Sequence, residues 1–258
     1  KGLDVARGSL VTMVPSDDSW PKNRLSLQVP HTIPDQVVLS FGKMNLINEK
    51  DQIIGLSDPS KQSKYLNNDP IGIIYKDLLV ENFIGEPSVL IKTSYLREIG
   101  GYLQPNGMLA EDYPTMLELA KYGKFVFIDE ILANYRFHGS QMTNLHIVDM
   151  AEKDKEFAIE FFTNLEDKFK IHSGWTQLSL RDHWSEKISR SHFSLGRRMA
   201  YLKDKKSAIK HFKISLSTSK SISIKLVSVL SLISVSLGFN IEWLRILSRN
   251  TLPLNIDT

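Results

Sequence analysis

The spacing of apolar residues changes near residue 145, and this break limits the fold more than any single motif does. Before it, short apolar runs of strand length alternate with helix-period segments, separated by Gly, Pro, Asn and Asp turns. After it, strand patterns stop and only long helical segments remain. Alternating elements followed by helices alone predict an α/β region over 1–145 and an all-helical region over 146–258.

Within the first region, Ser9–Val14 reads as a buried strand between Gly8 and Pro15, and 15–20 as a polar turn. Pro21 suits the first turn of a helix that runs to Pro30. Val37–Ile47 reads as a strand, Asn48–Asp51 as its turn and Gln52–Gly55 as its return. A polar loop over 57–69 precedes a helix over 71–80, a strand over 88–91 and a short helix over 94–99 stopped by Gly100 and Gly101. A helix over 112–122 and two strands, 125–128 and 131–138, complete the region. Helices are then expected over 146–170, 176–203 and 205–217, with a Ser-rich apolar stretch at 222–239 and a last helical piece at 241–247. Leu195, Gly196, Ala208, Phe212 and Ser215 follow the small/large pattern of one tetratricopeptide-like helix hairpin, and equally that of any helix pair with small residues at the crossing.

Composition excludes several classes. Apolar residues make up 42% and charged residues 24%, as in an ordinary globular protein. A net charge of +3, with no basic block, argues against a nucleic-acid partner. The absence of cysteine excludes disulfides, Cys-ligated zinc and thiol nucleophiles, and suits a cytoplasmic location. The first residues hold no apolar signal-peptide core, yet a strand pattern begins almost at once, so residues are expected to be missing upstream.

Three short segments carry chemistry. Asp17 and Asp18 lie in a turn between a strand and a helix, where open α/β sheets bind ligands. Paired carboxylates there suit a hard divalent cation that shares phosphate oxygens with a substrate; they also suit a plain turn or a helix cap. Glu111 and Asp112 head a helix whose positive end favours an ionised carboxylate, as a base needs and as an N-cap also provides. Arg136 and His138 point the same way at the end of the last strand. They fit phosphate and metal, or a solvated cationic face.

The order of these pieces resembles the inverting family 2 glycosyltransferases of GT-A fold. The resemblance rests on Ser16-Asp17-Asp18-Ser19-Trp20-Pro21, Leu25 to Gln28, Asn82 to Lys92, Leu96 to Tyr102, Glu111-Asp112-Tyr113 and Tyr135-Arg136-Phe137-His138, and it covers about residues 1–145. It implies a partial GT-A (Rossmann-like, nucleotide-diphospho-sugar transferase) domain and a hexosyltransferase-like enzyme of bacterial surface glycan synthesis. By resemblance, Asp18, helped by Asp17, would hold Mg²⁺ or Mn²⁺ and touch the nucleotide-sugar donor. Arg136 and His138 would face the diphosphate or the metal, Asp112 would be the base with Glu111 beside it, and Gly85, Glu86 and Pro87 would lie near a sugar, lipid-linked or protein acceptor. The family's first nucleotide-gripping half has no counterpart upstream of the acidic turn, so the chain alone is expected to bind a nucleotide sugar poorly. Ser16 also stands where many members carry Asp.

The stretch 222–239 is apolar but holds Lys225, and only 16 residues separate Lys225 from Glu242, short of the roughly 20 that span a bilayer. It reads as a buried core helix, or as a helix on the inner face of a membrane, with Lys203, Lys205, Lys206, Lys210 and Lys213 near anionic lipid. Two rival functions remain at this point: a non-catalytic helical interaction module with a decayed transferase half, and a metal-dependent phosphate-ester hydrolase built on the acidic turn.

Overall fold

The computed structural model describes residues 2–64, 66–67, 71–105, 107–138 and 146–239. The chain forms two compact units, one of Lys1–His138 with Phe157–Gln177 and one holding 146–156 and 178–239 of the described residues. The division by patterning at 145 therefore does not coincide with the division by packing. Residues 157–177 join the first unit because their aromatic side chains pack there. Tyr75 meets the rings of Phe161 and Phe169 at 5.9 and 5.6 Å, and Trp175 Nε1 donates to Lys76 O at 2.8 Å.

The first unit is α/β, as expected. Its sheet contains β1 (Leu10–Val11), β2 (Val37–Ile47), β3 (Ile53–Ser57), β4 (Leu90–Lys92) and β5 (Lys124–Arg136). β2 is central. One edge pairs antiparallel with β4 and then with β3, and the other runs parallel to β5 along its length. Val37 to Phe41 are all buried, and the run is apolar but for Ser40, as a strand covered on both faces requires.

Helices α1 (Gly2–Val5), α2 (Arg24–Thr32), α3 (Tyr75–Leu78), α4 (Thr93–Glu98) and α5 (Asp112–Leu119) belong to this unit. Leu39, Phe41, Leu78, Ile91, Leu96 and Met116 form its fully buried centre.

Several elements differ from the sequence reading for local reasons. The two strands expected at 125–128 and 131–138 are one strand, β5. Asp129 and Glu130 break the alternation but only step out of register, since Gly42 pairs with Ile128 and Lys43 with Ile131. Lys43 forms an ion pair with Asp129 across the step. Gly42 makes the close approach possible, since a Cβ there would lie 2.8 Å from Ile128 O. β1 is shorter than expected because Thr12 turns its hydroxyl to Val89 O at 2.6 Å instead of continuing the ladder. The expected helix over 71–80 shrinks to α3, entered through Gly72 at φ +88°.

Helix α6 (Ile147–Asn164) and α7 (Asp167–Ser173) replace the single helix expected over 146–170, with Glu166 extended between them. α7 stops at Gly174, in the left-handed region at φ +68°.

In the second unit, α8 (Gln177–Tyr201), α9 (Lys205–Thr218) and α10 (Ile222–Leu237) share a core of Phe193, Ala208, Phe212, Ile224, Val227 and Val235. Asp204 caps α9 by accepting from Ser207 N at 3.0 Å. A serine ladder runs through the core: Ser189 donates to Ser215 O at 2.9 Å, and Ser228 to Ser215 Oγ at 3.2 Å. The helical piece expected at 241–247 lies outside the described residues.

The small/large pattern noted at 195–215 has a direct packing basis. A Cβ on Gly196 would lie 2.8 Å from two ring carbons of Phe212, which is itself fully buried. Alanine favours a helix by roughly 0.5–1 kcal/mol over glycine, whereas overpacking costs roughly 1–3 kcal/mol. The steric term wins, so Gly196→Ala is expected to lower stability by about 1 kcal/mol. Urea denaturation followed by circular dichroism reads this directly, and an unchanged or raised midpoint would refute the crossing.

Candidate active site

The acidic turn is strapped to the end of β5. Ser19 and Asn134 exchange backbone hydrogen bonds of 3.2 and 2.8 Å. Asp18 Oδ1 accepts the Arg136 N–H at 2.8 Å, while Asp18 Oδ2 is buried with no hydrogen-bond partner. Burial pushes the Asp18 carboxyl above its ordinary value, the Arg136 N–H opposes this, and the neighbouring Asp17 charge adds to it. His138 Nε2 lies 3.2 Å from Asp17 Oδ2.

Four of the residues singled out by sequence, Asp17, Asp18, Arg136 and His138, thus sit together. The Arg136 side chain acts there as a clasp. Its Nε donates to Asp17 O at 2.8 Å, Nη1 to Asn48 O at 2.8 Å and Nη2 to Asp51 Oδ1 at 2.7 Å. It ties the turn to the β2–β3 hairpin, so its guanidinium is engaged by protein acceptors.

The second cluster lies around the start of α5. The N-cap residue is Glu111, whose side chain makes no capping hydrogen bond. The carboxylate of Asp112 is held instead by two donors: Tyr113 N–H to Oδ1 and Asn82 Nδ2 to Oδ2, each at 2.8 Å. The Tyr113 N–H is a free first-turn N–H of the helix, so Oδ1 acts as a cap, whereas the bond from Asn82 to Oδ2 goes beyond capping. Burial raises its pKa, the Glu111 charge adds to the rise, and the two hydrogen bonds oppose it.

Beside it stands Glu86, in a single 3-10 turn over Glu86–Ser88. Only 9% of Glu86 is exposed. Tyr102 OH donates to Oε1 at 2.7 Å, and Oε2 is buried without a partner. Burial first, then the charges of Asp112 and Glu111, push its carboxyl up to about 8, against the opposing pull of Tyr102 and Arg24. Glu86 is therefore mostly protonated at neutral pH. Gly85 and Pro87 have packing roles: a Cβ on Gly85 would collide with Met44 Cε, and Pro87 is buried.

One buried cation joins the pieces. Arg24 Nη2 donates to Thr12 Oγ1 at 3.0 Å and to Val89 O at 2.9 Å, and its Nε donates to Gln28 Oε1 at 3.0 Å. Its guanidinium stacks on Trp20 with 4.0 Å to the ring centroid, and burial lowers its pKa to about 10. Trp20 Nε1 donates to Pro87 O at 3.1 Å, which couples the acidic turn to the Glu86 segment. Gln28 donates to Ser40 O and Ser88 O at 2.9 and 2.7 Å. Sequence reasoning missed Arg24, Asn82 and Tyr102. The available signals were an Arg on the inward face of a first helix and a Tyr straight after Gly100 and Gly101, both of which have positive φ.

Among the described residues, no group of three or more His, Asp or Glu converges to hold a metal ion. Asp18 Oδ2 is the one unpartnered buried oxygen in the acidic turn.

Comparison with known proteins finds partial sequence similarity to a putative glycosyltransferase. Over 146 residues the chain is 29% identical to the putative teichuronic acid biosynthesis glycosyltransferase TuaG of Bacillus subtilis. The match takes in 56% of this chain and 53% of that protein, so the chain spans about half the length of this curated relative. Residues 1–349 of S. aureus TarS align over 97% of this chain and 70% of theirs, with a TM-score of 0.46 and 13% identity. The same protein in complex with UDP aligns over 92% and 69%, with a TM-score of 0.44 and 17% identity. No protein-family model matches the chain.

Proposed function

We propose that the chain carries the base and the acidic turn of an inverting glycosyltransferase of family 2 and GT-A fold. The reaction moves a sugar from a nucleotide-diphosphate sugar to a hydroxyl acceptor in bacterial surface glycan synthesis. The observation that carries this reading is Asp112: a carboxylate held by two donors, raised by burial, beside a second carboxylic acid. The similarity to TuaG supports the substrate class.

Asp112 accepts the proton of the acceptor hydroxyl. Asn82 and the Tyr113 N–H fix the orientation of its carboxylate. Glu86, protonated and held by Tyr102, adds no second negative charge near Asp112. The acceptor oxygen bonds to the anomeric carbon from the face opposite the diphosphate. The bond to the diphosphate oxygen breaks, and its electron pair leaves with the nucleotide.

The unpartnered Asp18 Oδ2 suits a Mg²⁺ or Mn²⁺ that takes few protein ligands, with His138, paired to the adjacent Asp17, a further candidate ligand. Such an ion supplies charge to a leaving diphosphate.

The test is release of nucleoside diphosphate by the complete gene product with Mn²⁺, a panel of nucleotide sugars, and hydroxyl acceptors present or omitted. Release that depends on the acceptor is expected. Equal release into water alone would favour hydrolysis, and no release with any donor would favour the interaction module.

A further inference from the structure

We propose that α10 rests its outer face on an anionic lipid bilayer. The inference does not depend on the transferase reading. α10 buries Ile224, Val227 and Val235 together with three serines, and leaves a second set of large aliphatic residues exposed. Ser228, Ser231 and Ser234 are buried, whereas Ile222 is 76% exposed, Leu226 59%, Ile233 52% and Leu237 67%. These four residues recur at intervals of four or seven, with Val229 and Leu230 between them, and so line one face of the helix. The hydroxyl of Ser228 donates to Ser215 Oγ and that of Ser231 to Val227 O, at 3.2 and 2.7 Å, so the serines are satisfied inside while the aliphatic residues meet water.

Charge decides what covers this face. From Lys205 to Phe239 there are six lysines and no Asp or Glu. Lys205 Nζ reaches Ser236 O at the end of α10 at 2.8 Å, and Lys225 lies in its first turn. Lys220, just before the helix, is paired with Asp182 of α8. A second copy of this chain would bring another all-cationic segment against the first, whereas an anionic bilayer complements both the charge and the aliphatic stripe. No helix among the described residues is long and apolar enough to cross a membrane, so α10 would lie in the plane of the headgroups.

The natural lack of cysteine makes the test clean. Ile233→Cys, labelled with a polarity-sensitive dye in the otherwise intact protein, should shift to the blue with phosphatidylcholine–phosphatidylglycerol vesicles and not with phosphatidylcholine alone. In co-sedimentation with the same vesicles, Leu226→Glu with Ile233→Glu should weaken partitioning at least about tenfold. Both sites are exposed, so circular dichroism should be unchanged. Lys225→Glu, at an exposed position of α10, should weaken binding and its salt dependence while leaving the aliphatic residues in place. Absence of binding, or equal binding to neutral vesicles, would overturn the proposal. So would a concentration-dependent oligomer dissolved by Leu226→Glu, which would assign the face to a second copy.

Discussion

Asp112→Asn is expected to cut acceptor-dependent transfer by roughly two to four orders of magnitude, the usual contribution of a positioned general base. The fold should survive. An Asn at 112 still accepts the Tyr113 N–H through its Oδ1. The amide of Asn82 can rotate to present its Oδ1, which is buried and unpartnered in the wild type, to the new NH₂ group. Thermal melting should therefore change little while transfer is lost. In the wild type, transfer should rise with pH through the raised pKa of Asp112, because the base acts only when ionised. Retained transfer in Asp112→Asn, with intact folding, would remove Asp112 from the base position.

Glu86→Gln should produce the largest change in stability. Folding raises the Glu86 pKa from 4.5 to about 8, so the folded state binds its proton more tightly than the unfolded state. The stabilising contribution of that proton is fully present below about pH 4.5 and is lost as pH rises through about 8. The shift corresponds to roughly 3–5 kcal/mol across that window. Gln keeps an oxygen for Tyr102 OH and carries no ionisable proton. Relative to wild type, the variant should gain stability steadily from pH 4.5 to 8 and hold a constant advantage above. Parallel melting curves for the two proteins across this range would show that Glu86 is not held as a neutral acid.

The acidic turn, the β2–β3 hairpin and the head of α5 were legible because each is local. β2 ends at Ile47, as its apolar run does, and Asn48 closes the hairpin by donating its N–H to Gln52 O at 3.0 Å. The support of the site was not legible, because its bonds join residues distant in sequence. Arg24 reaches Val89, Asn82 reaches Asp112 and Tyr102 reaches Glu86, and nothing in a single segment marks such a pair. Arg136 shows the converse. Its type suggests phosphate binding, and distant partners add a second role, since three protein acceptors engage it as a clasp. The orientation of α10 was also hidden, because Ser and Leu alternate in a way that fits either face inward. The decision fell to Ser215, which gives Ser228 a partner within the core.

The most direct measurement is the anomeric proton signal of the product formed from a nucleotide sugar of known configuration, followed by NMR alongside released nucleoside diphosphate. Sugar transfer with Asp112 as base predicts a glycoside of inverted configuration, formed in equal amount to the nucleotide. Free sugar as the sole product, or a glycoside of retained configuration, would contradict it.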